Sequence, residues 1–508
     1  MSKMYGKQDG EEISEYHLVI LIGILSGLLE VVKSSLFINE LVMQEKNQLL
    51  SIDSLQDRCA GSIIAAAAGD ALGWMTEFIR SHNDLKHKMG LEQVTDYQSW
   101  SKRVGGRFQG YEDYIAAGEY SDDTQLTICT AACISFNGCF DYHPFCKFEY
   151  PMWLEYARGA GSTVKEAAEK IQRKSADWNS NFFSRKMKEG SIDYRDGGAN
   201  GAAMRISPHV LANVGRWEQA EADIWRNSII SHGHPRAIVG ALLYGYALQT
   251  VLQWSEPSIG QQLIEILGNW VKQLQIPKIP ALKTWLTEWN KGRVESFEVV
   301  FEKTKQEAVE WLRLVWLGLR KDESPQNILE QLGCFDQATK GSGLATAIAG
   351  VYLFARQPEQ TQESIITAAN MIGSDTDSIA AFVGGLGGAA FGLEVISEKW
   401  RSQIQDASFL ICIGEHLAKI SAGEHEKMKI RPGYSGIKLG KALCRQTVHK
   451  DMRVVHYRLG AGTITEIDKQ SLLTQGRTVT TVRINFDVGQ SCKLAFRADT
   501  PSKTLFII

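Results

Sequence analysis

Proline is scarce in this chain, with 11 residues in 508. With few helix breakers and abundant Ala and Leu, the composition favours helices. Nine cysteines are scattered with no CxxC pair among them. That excludes a zinc ribbon and a disulfide framework and fits a reducing cytosol. Long apolar runs are missing too. The most apolar stretch, residues 18–29, is 12 residues long and stops at Glu30, where a membrane-spanning helix needs about 20. Glu11, Glu12 and Glu15 precede it, the opposite of a signal peptide's basic start. The expectation is a cytoplasmic chain with no membrane partner. Charge of one sign is also lacking overall: the net is −3, so the whole chain is not a polycation. A content of 44% hydrophobic and 22% charged residues excludes wholesale disorder and a fibrous repeat.

Glycine, by contrast, is plentiful at 46 residues, and charge is unevenly placed. Residues 427–508 hold 15 Lys/Arg against 5 Asp/Glu, a net of +10, and the remaining 1–426 carry −13. An acidic body with a basic end predicts two parts. Residues 1–54 read as a helical extension, with apolar positions continuing through Phe37, Ile38, Leu41 and Val42. Residues 55–422 read as helical almost throughout, with three- and four-residue apolar spacing over 166–174, 217–230, 261–274, 297–319 and 364–371. No βαβ spacing appears, so a doubly wound fold is not expected. Residues 423–450 read as a basic linker. Beyond it, 453–456, 462–466, 478–486 and 491–496 are short β-branched segments separated by turn residues, which predicts a small all-β module over 451–508.

Four segments carry the chemistry. The first is Gly69-Asp70-Ala71-Leu72-Gly73 with Glu77, after a small-residue helix over 59–68. The glycines are read as a tight exit that aims Asp70 and Glu77 into a cleft, though an ordinary helix end explains them as well. The second is Ser121-Asp122-Asp123-Thr124, at the start of a helix over 125–136. Ser or Asp caps such a helix, but two adjacent carboxylates exceed what a cap needs. The third is Gly373-Ser374-Asp375-Thr376-Asp377-Ser378, opening a helix over 379–391. It too reads as a cap, or as two carboxylates and a hydroxyl turned to one point. Such hard oxygen donors suit Mg²⁺, Mn²⁺ or Ca²⁺ rather than zinc. The fourth is the loop Gly197–Arg205 (GGANGAAMR), whose backbone amides can accept phosphate. It has no P-loop lysine and no G-x-G-x-x-G, so Walker and Rossmann readings fail. Nearby, Ser231-His232-Gly233-His234-Pro235 reads as a turn and cap before a helix over 236–248. Read from the residues alone, the set points to metal-assisted hydrolysis of a phosphate-bearing small ligand inside an all-helical domain. Cys129 and Cys133, one turn apart, read as core.

The order and wording of these motifs (GDALG…E, SDDT, GANGAAMRISP, SHGHPRA, GSDTDSIAAFVGGLGGAAFG) resemble the ADP-ribosylglycohydrolase family, of which the dinitrogenase reductase activating glycohydrolase is a member. The resemblance covers residues 57–422 and implies an orthogonal all-α bundle with two Mg²⁺ ions, or Mn²⁺, at the base of a cleft. By position, Ser121, Asp122, Asp123, Asp375, Asp377 and Ser378 would ligate metal. Glu77 would be the mobile glutamate beside the ions. Gly198, Asn200 and Gly201 would hold ADP-ribose, with His232 near its diphosphate. Ser121 and Ser378 stand where Thr is frequent, and Ser374 where Gly is common, so hydroxyls are retained. The implied reaction is hydrolysis at the anomeric carbon of the distal ribose, with Asp123 or Glu77 taking the proton of water and Asp196 the nearest candidate for an assisting acid on the glycine loop. The implied substrate is an ADP-ribosylated protein, arginine-linked by analogy, or a modified nucleic acid. A rival reading is a non-catalytic ADP-ribose-binding or immunity protein that blocks an ADP-ribosyltransferase, with residues 1–54 reaching into the partner.

Residues 454–464 (VVHYRLGAGTI) and 485–489 (NFDVG) look like parts of the small SH3-like barrels found at the ends of some repair helicases. With the linker they gather Lys427, Lys429, Arg431, Lys438, Lys441, Arg445, Lys450, Arg453 and Arg458. That implies either attraction to nucleic acid or another acidic partner, or a solvated docking module.

Overall fold

The computed structural model describes residues 50–186, 190–254, 260–424, 438–474 and 477–498. The expected helices at 18–29 and around 37–42 lie outside the described residues.

The body is helical and is organised around one antiparallel pair. Helix α1 (Ile52–Glu77) is 26 residues long, and its middle is buried on all sides. It does not exit at Gly69–Gly73, as the sequence suggested, but runs through both glycines to Glu77. The reason is packing. A Cβ on Gly69 would lie 2.2 Å from Ala380 O, and one on Gly73 would lie 2.3 Å from Thr376 O. On the facing helix, a Cβ on Gly384 would lie 2.0 Å from Ala65 O, and one on Gly388 would lie 2.1 Å from Gly61 O. The contacts step by four residues on both helices, the spacing of one ridge of side-chain positions along a helix. Each glycine costs about 1 kcal/mol of helix propensity, and this backbone-to-backbone approach offsets it.

The remaining helices that position the site are α2 (Asp122–Ala131), α3 (Ser162–Lys170), α4 (Trp217–Ile229), α5 (Pro235–Leu252), α6 (Gly343–Arg356), α7 (Thr376–Phe391) and α8 (Ala407–Ala422). The facing helix above is α7. Gly414 lets α8 pack on α1, because a Cβ there would lie 2.4 Å from Ala60 Cα. The other expected helices are found at Gly260–Gln273, Phe297–Arg320 and Thr361–Ala369. Cys129 and Cys133 are buried. No described helix is long and apolar enough to cross a membrane.

Residues 55–422 are mainly helical as expected, interrupted by two short antiparallel hairpins that the sequence reading did not mark. They are β1 (Trp100–Val104) with β2 (Tyr111–Ile115), and β3 (Ser184–Lys186) with β4 (Ser191–Asp193). At three to five residues each, they are too short to show a clear alternating pattern.

The C-terminal module is a four-stranded antiparallel sheet in the order β5 (Arg453–His456), β6 (Gly460–Ser471), β7 (Thr478–Phe486), β8 (Ser491–Ala498). It belongs to the same compact unit as the helical body. The expected linker 423–450 is not all linker. Its end carries the short helix Leu439–Leu443, tied to the body where Gly440 N donates to Glu155 Oε2 at 3.0 Å.

The basic module sits on acids of the body. Arg458 pairs with Glu149 at 2.7 Å, and Glu149 is fully buried. Lys493 pairs with Asp113 of β2 at 2.9 Å. Arg483 pairs with Glu119. Asp406, at the start of α8, accepts from Tyr120 Oη, Ser491 N and Ser491 Oγ at 2.8, 2.9 and 2.7 Å.

Candidate functional site

The site begins where α2 starts. Ser121 Oγ accepts from Asp123 N at 3.3 Å and caps the helix. Asp70, fully buried on α1, fastens the same turn. Its carboxylate accepts from Ser121 N at 3.1 Å, from Thr124 N at 3.0 Å and from Thr124 Oγ1 at 2.6 Å. Asp70 therefore points at a helix start and not into a cleft, which corrects the sequence reading. With those amides held by Asp70, Asp122 and Asp123 are left over for other work.

The start of α7 faces it. Ser378 Oγ donates to Asp123 Oδ2 at 2.7 Å, so the two acidic helix starts touch directly. Asp377 Oδ1 accepts from Ser378 N at 2.9 Å. Asp375 occupies the cap position of α7 but makes no capping bond. It accepts instead from Asn200 Nδ2 at 3.3 Å. Because α1 and α7 run antiparallel with Gly73 against Thr376, the last turn of α1 brings Glu77 to the same place. Thr76 Oγ1, one residue earlier, is 3.1 Å from Thr376 Oγ1. Glu77 Oε2 is buried and has no hydrogen-bond partner.

These carboxylates repel one another in a poorly solvated place. Burial first, then the charges of Asp375 and Asp122, push Glu77 up to about 8. Burial and the neighbouring Asp70 push Asp122 to about 7. Burial, with Asp70 and Asp122, holds Asp123 well above the ordinary carboxylate range. Burial, with Glu77 and Asp375, does the same for Asp377. The nearby cations that oppose this for Glu77 are Lys102 and Lys340. Such a cluster calls for protons or cations.

The donor set consists of hard oxygens, carboxylates with the hydroxyls of Ser121 and Ser378, and so suits a hard divalent cation in kind. The spacing is not that of a finished cage. Among the described residues, no three Asp, Glu, His or Cys side chains converge closely enough to hold an ion.

The glycine loop lies beside α7. Asn200 N donates to Gly341 O, and Gly343 N to Gly198 O, both at 2.8 Å. Gly341 is required, with φ of +74° and Asp375 Oδ2 2.6 Å from where a Cβ would stand. Buried Arg205 braces the loop from behind. It donates to Gly201 O at 2.5 Å, to Asn227 Oδ1 at 2.7 Å and to Ser231 Oγ at 2.7 Å. His232 is fully buried against Gly201, whose Cβ would lie 2.8 Å from the ring. Burial, then Arg205, drives its pKa down to about 3, so the imidazole is neutral. Its Nδ1 is 2.8 Å from Ser231 Oγ, and its buried Nε2 has no partner. Asp196 is exposed and paired with Arg293 at 2.6 Å.

Sequence reasoning did not single out the loop 339–343, Lys102, Arg158 or Gly159. Lys340 Nζ reaches Glu77 O at 3.5 Å. A cleft of about 1090 Å³ is lined by Phe78, Trp100, Lys102, Arg158, Gly159 and Lys493, among others. The acids lie just behind this lining, since a Cβ on Gly159 would come within 2.8 Å of Asp122 Oδ1. Cleft and glycine loop thus flank the carboxylates. No local pattern marks these positions, because tertiary contacts assemble them.

The ADP-ribosylglycohydrolase family model matches residues 51–427, most of the chain. The chain belongs to the ADP-ribosylglycohydrolase family. Its relatives include the ADP-ribosyl-[dinitrogen reductase] glycohydrolase of Rhodospirillum rubrum, 26% identical over 196 residues, or 38% of this chain. The chain spans 57% of that protein's length. The ADP-ribosylarginine hydrolase Tri1 of Pseudomonas putida is 22% identical over 374 residues, covering 71% of this chain and 78% of that protein. A solved ADP-ribosylglycohydrolase-related protein complex aligns with a TM-score of 0.45 at 18% identity, over 72% of this chain and 99% of that one. The family match ends at 427, before the C-terminal sheet.

Proposed function

We propose that this chain is a Mg²⁺-dependent hydrolase that releases ADP-ribose from a modified target. An arginine-linked protein is the first choice of substrate, supported by the similarity to the ADP-ribosylarginine hydrolase Tri1. The observation that carries the reading is the junction of two acidic helix starts, Asp122–Asp123 and Asp375–Asp377, tied by Ser378 to Asp123. A cap needs one acceptor; this arrangement collects four carboxylates and brings Glu77 beside them.

Ser121, Asp122, Asp123, Asp375, Asp377 and Ser378 would hold two Mg²⁺ ions, with Mn²⁺ as the alternative. The ions would supply Lewis acidity that lowers the pKa of a bound water and binds ribose hydroxyls. The protein's own groups do the rest. Asp123 or Glu77 takes a proton from the attacking water. The remaining carboxylates oppose the positive charge that develops on the ribose as its anomeric C–N bond breaks. Backbone amides of Gly198 and Gly201, the Asn200 side chain and neutral His232 orient the ADP portion without competing for the proton. The basic C-terminal module, an SH3-like barrel by resemblance, would serve target choice at the rim of the same cleft.

The test is release of ADP-ribose from arginine-, serine- and nucleic-acid-linked substrates, with Mg²⁺ and after chelation. Metal-dependent release from arginine, lost in Asp123→Asn and Asp375→Asn proteins that still fold, supports the reading. Binding of ADP-ribose with no release from any linkage would replace it with the ADP-ribose-binding or immunity protein.

A further inference from the structure

The end of α1 carries two aromatic residues one turn apart, Trp74 and Phe78, with Glu77 between them in sequence. The hairpin strand β1 adds Trp100, whose ring meets Trp74 edge-on at 5.2 Å between centroids. Into this corner β1 sends Lys102. Its ammonium lies 4.3 Å from the Trp74 ring centre, 4.7 Å from Phe78 and 5.9 Å from Trp100. Three aromatic faces around one ammonium make the arrangement by which proteins hold organic cations, and the fixed Arg158 guanidinium adds a second cation 5.3 Å from the Trp74 ring centre. Lys102 makes no salt bridge among the described residues; the acid that most favours its charge is Glu77. Neighbouring Arg158, by contrast, is committed to Asp113 and Glu119 at 3.1 and 2.7 Å and is not free to move.

The corner has a way in and a way through. Phe78 is 47% exposed, and Phe78, Trp100 and Lys102 all line the cleft of about 1090 Å³. On the inner side, Trp74 Nε1 is buried without a hydrogen-bond partner. It points toward Gly159, where a missing Cβ leaves only a short gap to Asp122: the Cβ position lies 3.1 Å from Trp74 Nε1 and 2.8 Å from Asp122 Oδ1. A cation entering the corner is therefore within one side chain's reach of the carboxylates.

We infer that Trp74, Phe78 and Trp100 form the seat for the cationic side of the substrate, a guanidinium group, and that Lys102 is an internal tenant which the substrate displaces. This rests on the arginine-linked reading above and deepens it. A guanidinium is planar and weakly hydrated, and it stacks on aromatic faces better than an ammonium does. Lys102 can leave because ring faces and the charge of Glu77 hold it without a salt bridge among the described residues, and the cleft offers it solvent. A serine-linked or other neutral leaving group gains nothing from the corner, so the seat selects among linkages.

The experiment uses the full chain as wild type, Lys102→Met and Phe78→Leu, all at positions that reach the surface. Binding of methylguanidinium is measured by ligand-observed NMR. Removing the tenant should tighten binding about 3–10-fold, and trimming Phe78 should weaken it about as much. Equal binding by all three proteins overturns the inference, whatever the chain does to any linkage. KM for ADP-ribosylarginine should move in the same directions, with KM for ADP-ribosylserine unchanged within twofold. Equal shifts on both linkages also overturn it. Failure of the arginine reading shows separately, as no arginine-linked release by the wild type.

Discussion

Ser378 Oγ donates a hydrogen bond to Asp123 Oδ2 at 2.7 Å, across 255 residues of sequence. This contact joins two helix starts that carry four carboxylates between them. Ser378→Ala should lower the rate of ADP-ribose release about 10–100-fold, because Asp123 loses the group that fixes its orientation. The melting temperature should fall by no more than a few degrees, since α2 keeps its Ser121 cap and both helices remain packed. Ser378→Thr keeps the hydroxyl and should recover most of the rate. Steady-state kinetics with matched melting curves check this.

The helix pair beneath the site tolerates no side chain at its closest points. Gly384→Ala would place a Cβ 2.0 Å from Ala65 O. Overpacking of this kind costs about 1–3 kcal/mol or more, and separating α1 from α7 also moves Glu77 away from Asp375. Stability and activity should therefore fall together. Urea denaturation alongside the release assay reads both.

Arg458 and Glu149 form an ion pair between sheet and body, with Glu149 fully buried. Arg458→Ala takes the guanidinium away from a buried carboxylate and should cost about 3–5 kcal/mol. Arg458→Met with Glu149→Leu should cost much less, since neither charge is then stranded. Chemical denaturation of the two variants decides between a pair that stabilises and one that only requires its partner.

Glu221 on α4 is pushed from 4.5 up to about 7 by burial. The folded chain then keeps a proton that the unfolded chain releases, so stability declines as pH rises from about 4.5 to about 7. Glu221→Gln removes that decline. It should match the wild type near pH 4.5 and exceed it by about 1 kcal/mol at pH 8, as read from denaturation midpoints at the two pH values.

What could be read in the sequence was what is local. Ser121 caps its helix, and capping depends on a few adjacent residues, so the acidic cluster at 121–124 was found where it stands; the cluster at 373–378 was likewise found at a helix start, although Asp375 there makes no capping bond. The small-residue character of α1 was also plain. Its continuation through Gly69 and Gly73 was not, because those glycines are helical only by virtue of Ala380 and Thr376 on another helix. The same limit hid Asp70, whose side chain was legible as an acid but not as a buttress for Thr124. Lys102, Gly159 and Gly341 carry no local mark at all. The charge imbalance between the two ends was visible, but the pairing of Lys493 with Asp113 needed the fold.

The ion pairs between sheet and body also bear on how this chain can diverge. Whatever stands at 113, 119 and 149 is answered at 493, 483 and 458, on a segment beyond the reach of the family's shared sequence. Charge reversal on one side alone sets like charges face to face, so the two halves must drift as a couple. A related helical body without this sheet is released from that obligation only in part, because Asp113 and Glu119 are also held by Arg158 of the body itself. Acids 113 and 119 thus answer to two partners at once, one in the body and one in the appended sheet, so a change at either position is felt on both sides of the seam.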